Sequence, residues 1–370
     1  MTKPRVLVVD DSVVVRRLVS KALEQDGSIE VAGVAADGRI ALTKIAQTKP
    51  DLVILDVEMP VMDGLTALAE IRERWPRLPV IVFSTLTVRG AAVTLDALAA
   101  GASDYVAKPG RGGDPVENLA RIREELVPRI FALCPGVVGR RHLEGIRPTA
   151  RPRPARTSAA PRVGPAARVD IVAIGASTGG PTALAELLPG LPASLPVPVV
   201  IVQHMPPLFT GFLAERLDGR AALRIAEATN GDPLAPGGVL IAPGDRHMVV
   251  DSFGGHFRVR THLGPPENSC RPSLDPLFRS AADTFGPSVL AVVLTGMGSD
   301  GLRGAERVRE AGGQILVQDE ASSVVWGMPG FVARAGLADA VLPIGRMARE
   351  IVGRVGMGRA HLRLAEGAAT

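Results

Sequence analysis

The chain has 370 residues, 46% hydrophobic and 22% charged, with 42 Lys and Arg against 38 Asp and Glu for a formal net charge of +4. That length predicts two or three domains, and that balance suits soluble globular domains with sizeable cores. Two cysteines far apart, Cys134 and Cys270, exclude a disulfide framework or a metal-ligand spacing, and no apolar run reaches the length of about 18 residues that a bilayer span needs. The N-terminus "MTKPRVLVVDDS" enters a strand too soon for a signal peptide. A reducing, cytoplasmic setting without membrane insertion is expected.

In chain order, "RVLVVD" (5–10), "IEVAGVAA" (29–36), "DLVILD" (51–56), "LPVIVFS" (78–84) and "DYVAK" (104–108) read as buried strands. Helical patterns separate them, beginning with "DSVVVRRLVSKALEQDG", which Gly27 closes, and ending with "PVENLARIREELVPRIFAL" near Leu133. Strands alternating with helices predict a parallel sheet covered by helices. Residues 135–167 break the rhythm. "RPTARPRPARTSAAPRVGPAAR" is too rich in proline to be regular and too polar to bury a core, which predicts an extended, mobile linker. Its arginines could face nucleic acid, but it has no aromatics, helical period or nucleic-acid motif, so no such partner is expected. Alternation resumes at "VDIVAIGAS" (169–177), "VPVVIVQH" (197–204), "SVLAVVLTG" (288–296) and "GGQILVQD" (312–319), with a glycine- and proline-rich middle around 231–266. The last helical pattern is "RMAREIVGRV", and the tail after Gly358 looks frayed. The predicted organisation is thus a first domain over 1–134, a linker over 135–167, a second domain over 168–358 and a tail over 359–370. Both domains are α/β, doubly wound on parallel sheets.

In such sheets ligands bind outside the carboxyl ends of the strands, at the switch in strand order. Asp10 and Asp11 end the first strand and Asp56 the third; Ser84 and Thr85 end the fourth; Lys108, followed by Pro109, ends the fifth. Three gathered carboxylates repel one another, and a hard cation such as Mg2+ would relieve them. A hydroxyl and an ammonium opposite would suit a phosphoryl group on Asp56. Taken singly, each residue could instead be a helix N-cap, Asp11 or Ser12 included. The set "VLVVDDS…DLVILDVEMPVMDGL…VIVFST…GASDYVAKP" resembles a two-component response-regulator receiver domain over about residues 3–125. The resemblance implies a flavodoxin-like fold, Asp56 as phosphoacceptor, and Asp10, Asp11 and the Glu58 carbonyl beside Asp56 at a Mg2+ site. It also implies Ser84 as switch hydroxyl, Tyr105 as switch aromatic, Lys108 as the phosphate-contacting lysine, and a histidine kinase as phosphodonor.

"GASTG" (175–179) matches the nucleophile elbow G-x-S-x-G, with Ser177 at the turn. Glycine-rich strand-to-helix turns also cradle phosphates or pack tightly. A serine nucleophile needs a base and the base an orienting acid. His204 ends the neighbouring predicted strand, and Asp300 lies in the glycine-rich turn "GMGSDG" (296–301). Bland alternatives stay open: Ser177 or Asp300 as a helix cap, His204 as a structural histidine. Among the other histidines, His142, His247, His256, His262 and His361, the rival base is His247 after "APGDR". The order Ser, His, Asp differs from the α/β-hydrolase order, which argues for a convergent triad.

"AIGASTGGP", "QHMPPLFTGFLAERL", "IAPGDRHM", "GPPENSCRPSLDPLF", "LTGMGSDG" and "VVWGMPG" are similar, in that order, to the catalytic domain of chemotaxis protein-glutamate methylesterases. The similarity covers about residues 168–355, and a receiver joined to this domain is that family's architecture. It implies a Rossmann-like esterase domain needing no cofactor, with Ser177 as nucleophile, His204 as base, Asp300 as orienting acid and the Met297 N–H as oxyanion donor. It further implies methyl-accepting chemoreceptors as substrate, a capacity to deamidate receptor glutamines, and a receiver that covers the triad until Asp56 is phosphorylated. Alternative readings keep the chemistry on receptors of a non-chemotaxis array, or make the chain a non-enzymatic, phosphorylation-dependent regulator.

Overall fold

The first apolar run, "RVLVV", becomes strand β1 (Arg5–Val9) in the computed structural model, which describes residues 3–85, 87–109, 114–136 and 168–367. From Val137 to Ala167 the expected linker lies outside the described residues. The chain divides into two compact units, 1–149 and 150–370.

In the first unit β1 is followed by α1 (Val13–Glu24), β2 (Glu30–Ala35), α2 (Gly38–Thr48), β3 (Leu52–Leu55), α3 (Gly64–Arg74), β4 (Val80–Ser84), α4 (Val88–Ala99), β5 (Asp104–Ala107) and α5 (Pro115–Leu133). The strands form one parallel sheet in the order β2-β1-β3-β4-β5, the flavodoxin-like order, whose switch point lies between β1 and β3. β3 and β4 are buried throughout, as continuous apolar runs covered on both faces must be. Each helix begins at a polar side chain that accepts a backbone N–H: Ser12, Asp37, Asp63, Thr87 and Asp114. Such a cap contributes about 1 kcal/mol. Ser12, not Asp11, caps α1, which leaves the Asp11 carboxylate for the strand ends.

The second unit runs β6 (Ile171–Ala176), α6 (Gly180–Leu187), β7 (Val199–Gln203), α7 (Phe209–Asp218), β8 (Arg224–Glu227), β9 (Gly238–Ile241), β10 (His247–Phe253), β11 (His256–His262), α8 (Leu274–Phe285), β12 (Val289–Val293), α9 (Leu302–Glu310), β13 (Gln314–Gln318), α10 (Met328–Arg334), β14 (Ala340–Leu342) and α11 (Ile344–Gly367). A seven-stranded sheet has the order β14-β13-β12-β6-β7-β9-β8, and all its ladders are parallel. β6, first in the chain, lies in the middle, so the strand order reverses around it. Leu274, Leu277 and Phe278 of α8 pack with Ile171, Ala173, Val289 and Ala291 in the core of this unit.

The glycine- and proline-rich middle supplies β9 and an antiparallel hairpin, β10–β11, turned by Gly254 and Gly255 at positive φ. One expectation changes. The tail expected to fray after Gly358 continues α11 to Gly367, through a proline-free run of good helix formers. Among the described residues no helix is long and apolar enough to cross a membrane, and Cys134 and Cys270 are free thiols.

Candidate active site

In the first unit the strand ends bring the acids together. Oxygens of Asp10, Asp11 and Asp56 all lie within 4.8 Å of one another. Lys108 Nζ is 2.7 Å from both Asp10 Oδ2 and Asp56 Oδ2, clamping two acids that are almost fully buried. Burial, and then the charge of Asp10, push the Asp56 carboxyl up against the opposing pull of Lys108. Burial would lower the Lys108 ammonium, but Asp10 and Asp56 outweigh it and raise it. Gly64 makes room for this geometry: a Cβ there would stand 2.1 Å from the Asp56 carbonyl oxygen. The Ser84 hydroxyl is buried and donates to the Gly90 carbonyl in α4 at 3.2 Å. Tyr105 is buried, and burial together with the neighbouring Asp104 charge pushes its phenol far up. The Glu58 N–H donates to Asp56 Oδ1 at 3.3 Å, so the residue expected to offer a carbonyl does border the acid cluster.

In the second unit Ser177 and His204 directly follow the adjacent strands β6 and β7, and Asp300 lies beyond β12 on the other side of β6. Ser177 is not a cap. The N-cap of α6 is Gly179, at φ 77 and without a side-chain bond. The Ser177 N–H donates to the Thr295 carbonyl at 3.0 Å, and a Cβ on Gly296 would lie 2.8 Å from Ser177 Cβ. The buried Gln203 amide ties the two strand ends, donating to the Ser177 and His204 carbonyls at 3.0 and 3.3 Å.

His204 Nε2 donates to Asp300 Oδ2 at 2.8 Å, and its Nδ1 lies 3.5 Å from Cys270 Sγ. Among the described residues no hydrogen bond joins the Ser177 hydroxyl to the imidazole. Ser177 and His204 nevertheless stand at the same edge of the sheet, at the ends of adjacent strands. Burial alone would lower His204; the Cys270 sulfur and the Asp300 carboxylate outweigh it and raise its pKa. Asp300 is 2% exposed. Its Oδ1 accepts from Asn268 Nδ2 (2.7 Å), Ser273 Oγ (2.7 Å), Asp275 N (3.2 Å) and Gly301 N (3.0 Å), and its Oδ2 from Leu274 N (2.6 Å). Burial would raise this carboxyl, but His204 and the N–H groups opening α8 hold it at about 2; a helix N-terminus favours an anion. His247, the rival base, is occupied elsewhere. It is buried, accepts from Ser273 N at 3.2 Å and donates to the Pro265 carbonyl at 2.9 Å.

The sequence reading missed Cys270, Asn268 and Ser273. All three lie in the quoted run "GPPENSCRPSLDPLF", and its polar residues beside a buried helix start were the signal available.

Residues 172–351 match the family model described as CheB methylesterase, and residues 6–119 that of the response regulator receiver domain. The protein-glutamate methylesterase/protein-glutamine glutaminase of Trichodesmium erythraeum is 50% identical over 357 residues, 96% of this chain and 100% of the relative. The protein of the same name from Nocardioides sp. is 52% identical over 358 residues, 97% of each chain. The crystal structure of the Thermotoga maritima CheB methylesterase catalytic domain is 41% identical and covers 50% of this chain and 98% of that one, with a TM-score of 0.49. With half its residues identical along nearly its whole length to such relatives, the chain belongs to the protein-glutamate methylesterase/protein-glutamine glutaminase family, a receiver domain followed by a methylesterase domain.

Proposed function

We propose that the chain hydrolyses glutamyl methyl esters on chemoreceptors, releasing methanol and restoring glutamates, and that phosphorylation of Asp56 by a histidine kinase raises this activity. Ser177 Oγ attacks the ester carbonyl. His204 takes its proton through Nδ1, because Nε2 is held by Asp300, and passes it to the leaving methanol. Asp300 stays ionised and stabilises the imidazolium. The Met297 N–H has no acceptor among the described residues and receives the tetrahedral oxyanion. Water then opens the acyl-enzyme by the same route. A glutamine side chain would react likewise with ammonia leaving, the second activity in the relatives' names. The observation that carries this reading is the His204–Asp300 bond at the end of β7, beside Ser177 at the end of β6.

In the receiver, the oxygen-only set of Asp10, Asp11 and Asp56 fits Mg2+, because among the described residues these three clustered carboxylates face one ammonium, that of Lys108. With the Glu58 carbonyl they would hold the ion, whose charge offsets that of an entering phosphoryl group. Lys108 is poised to contact that group, and Ser84 and Tyr105 to register its arrival.

The direct test is methanol release from methyl-esterified chemoreceptors by the full chain, with and without a small phosphodonor and Mg2+. Release that rises with the phosphodonor is expected; none in either condition overturns the reading. The pH profile provides a second test. His204 must be neutral to accept a proton, and its pKa is raised. The kcat/KM should therefore climb with pH through a limb above the ordinary imidazole value of about 6.5. A profile flat from about pH 6 to about pH 9 would count against His204 as the base.

A further inference from the structure

We propose that Asn268 is a positioning residue of the hydrolytic site: its amide joins the buried carboxylates of Asp275 and Asp300 and limits how strongly they draw a proton onto His204. The inference rests on the triad reading above and extends it to a side chain outside the triad. One –NH2 group serves both acids, at 2.9 Å to Asp275 Oδ2 and 2.7 Å to Asp300 Oδ1. The loop is built to hold it there. Asn268 and Ser269 both adopt left-handed backbone, at φ 52 and 61, a conformation that costs a non-glycine residue about 1 kcal/mol or more. Glu267 and Cys270 close the loop by reciprocal backbone bonds of 3.1 and 2.8 Å. Arg279 of α8 grips Glu267 through both carboxylate oxygens, at 2.7 and 2.9 Å.

The chemistry explains why an amide stands there. Asp275 is 2% exposed and lies behind Asp300, its Oδ1 accepting from Gly304 N at 2.6 Å and its Oδ2 from Asn268 Nδ2. Burial and then the charge of Asp300 push Asp275 up. An ammonium at this position would neutralise Asp300 and compete with His204 for it. A neutral donor spreads the charge of both acids and leaves the His204 bond intact. The titratable and charged groups facing the pair are His204 after β7, with the Cys270 thiol beyond it, and Arg279 of α8, which is shared with Glu267.

The test compares full-length wild type with Asn268→Gly, which removes the amide and keeps left-handed backbone, and Asn268→Asp, which keeps shape and replaces the amide by a third carboxylate. Methanol release from methyl-esterified chemoreceptors is followed against pH. Without the amide, negative charge facing His204 is less dispersed and the imidazolium is favoured. The acid limb of kcat/KM should move up by about 0.5–1 pH unit for Asn268→Gly and at least as far for Asn268→Asp. At about pH 7, kcat should fall about 3- to 10-fold with KM within about twofold. Asp275→Asn, which removes an anion, should move the limb down. An unmoved limb, with or without lost activity, or a downward shift in both Asn268 variants, overturns the proposal. The triad reading stands or falls separately, on the Ser177→Ala variant assayed alongside.

Discussion

Ser177→Ala is expected to lower methyl-ester turnover by about 10⁴-fold or more, a barrier increase of about 5 kcal/mol, while the protein stays folded. The hydroxyl is the only group removed, and the structure gives it no architectural task. α6 starts from Gly179 without a side-chain cap, and the backbone bonds of Ser177 survive the change: its N–H to Thr295 and its carbonyl to Gln203 and Gly180. The loss should therefore appear in kcat, measured as methanol release, with an unchanged unfolding midpoint. Turnover within about tenfold of wild type would remove Ser177 as nucleophile.

Asp56→Asn should reduce acid-labile phosphate incorporation, from a histidine kinase or a small phosphodonor, by about 100-fold or more, because a carboxamide oxygen is a poor nucleophile. The pocket should survive. Lys108 keeps its 2.7 Å bond to Asp10, and Asp10 and Asp11 remain at the end of β1. Wild-type labelling should require Mg2+, and the variant should show no rise in methanol release when a phosphodonor is added. Labelling at a rate close to wild type would exclude Asp56 as the acceptor.

Much of this protein was determined by local sequence. Parallel strands buried on both faces are continuous apolar runs, so "DLVILD" and "VPVVIVQH" declare themselves, and a residue just after such a run must stand at the ligand-binding edge of its sheet. Asp10, Asp56, Lys108, Ser177 and His204 all sit at such positions, and the structure brings each set to one edge. The hairpin was also legible: "HMVVDSF" and "HFRVRTH" flank Gly254–Gly255, a two-residue turn signal that the surrounding glycines and prolines obscured.

Tertiary structure alone decided the environment of Asp300. Its turn lies beyond the end of β12, and no periodicity aims its side chain. Its direction is set by the N–H groups opening α8, by Ser273 and by Asn268, all earlier in the chain and brought over β6 and β12 by the packing of Leu274 and Phe278. The meeting of Cys270 with His204, and the settling of His247 beneath Ser273, depend on the same placement. Apolar periodicity records which face of an element is buried. It carries no record of which polar groups from distant loops converge once the elements are packed, because those contacts are made by single side chains and unpaired helix-end amides.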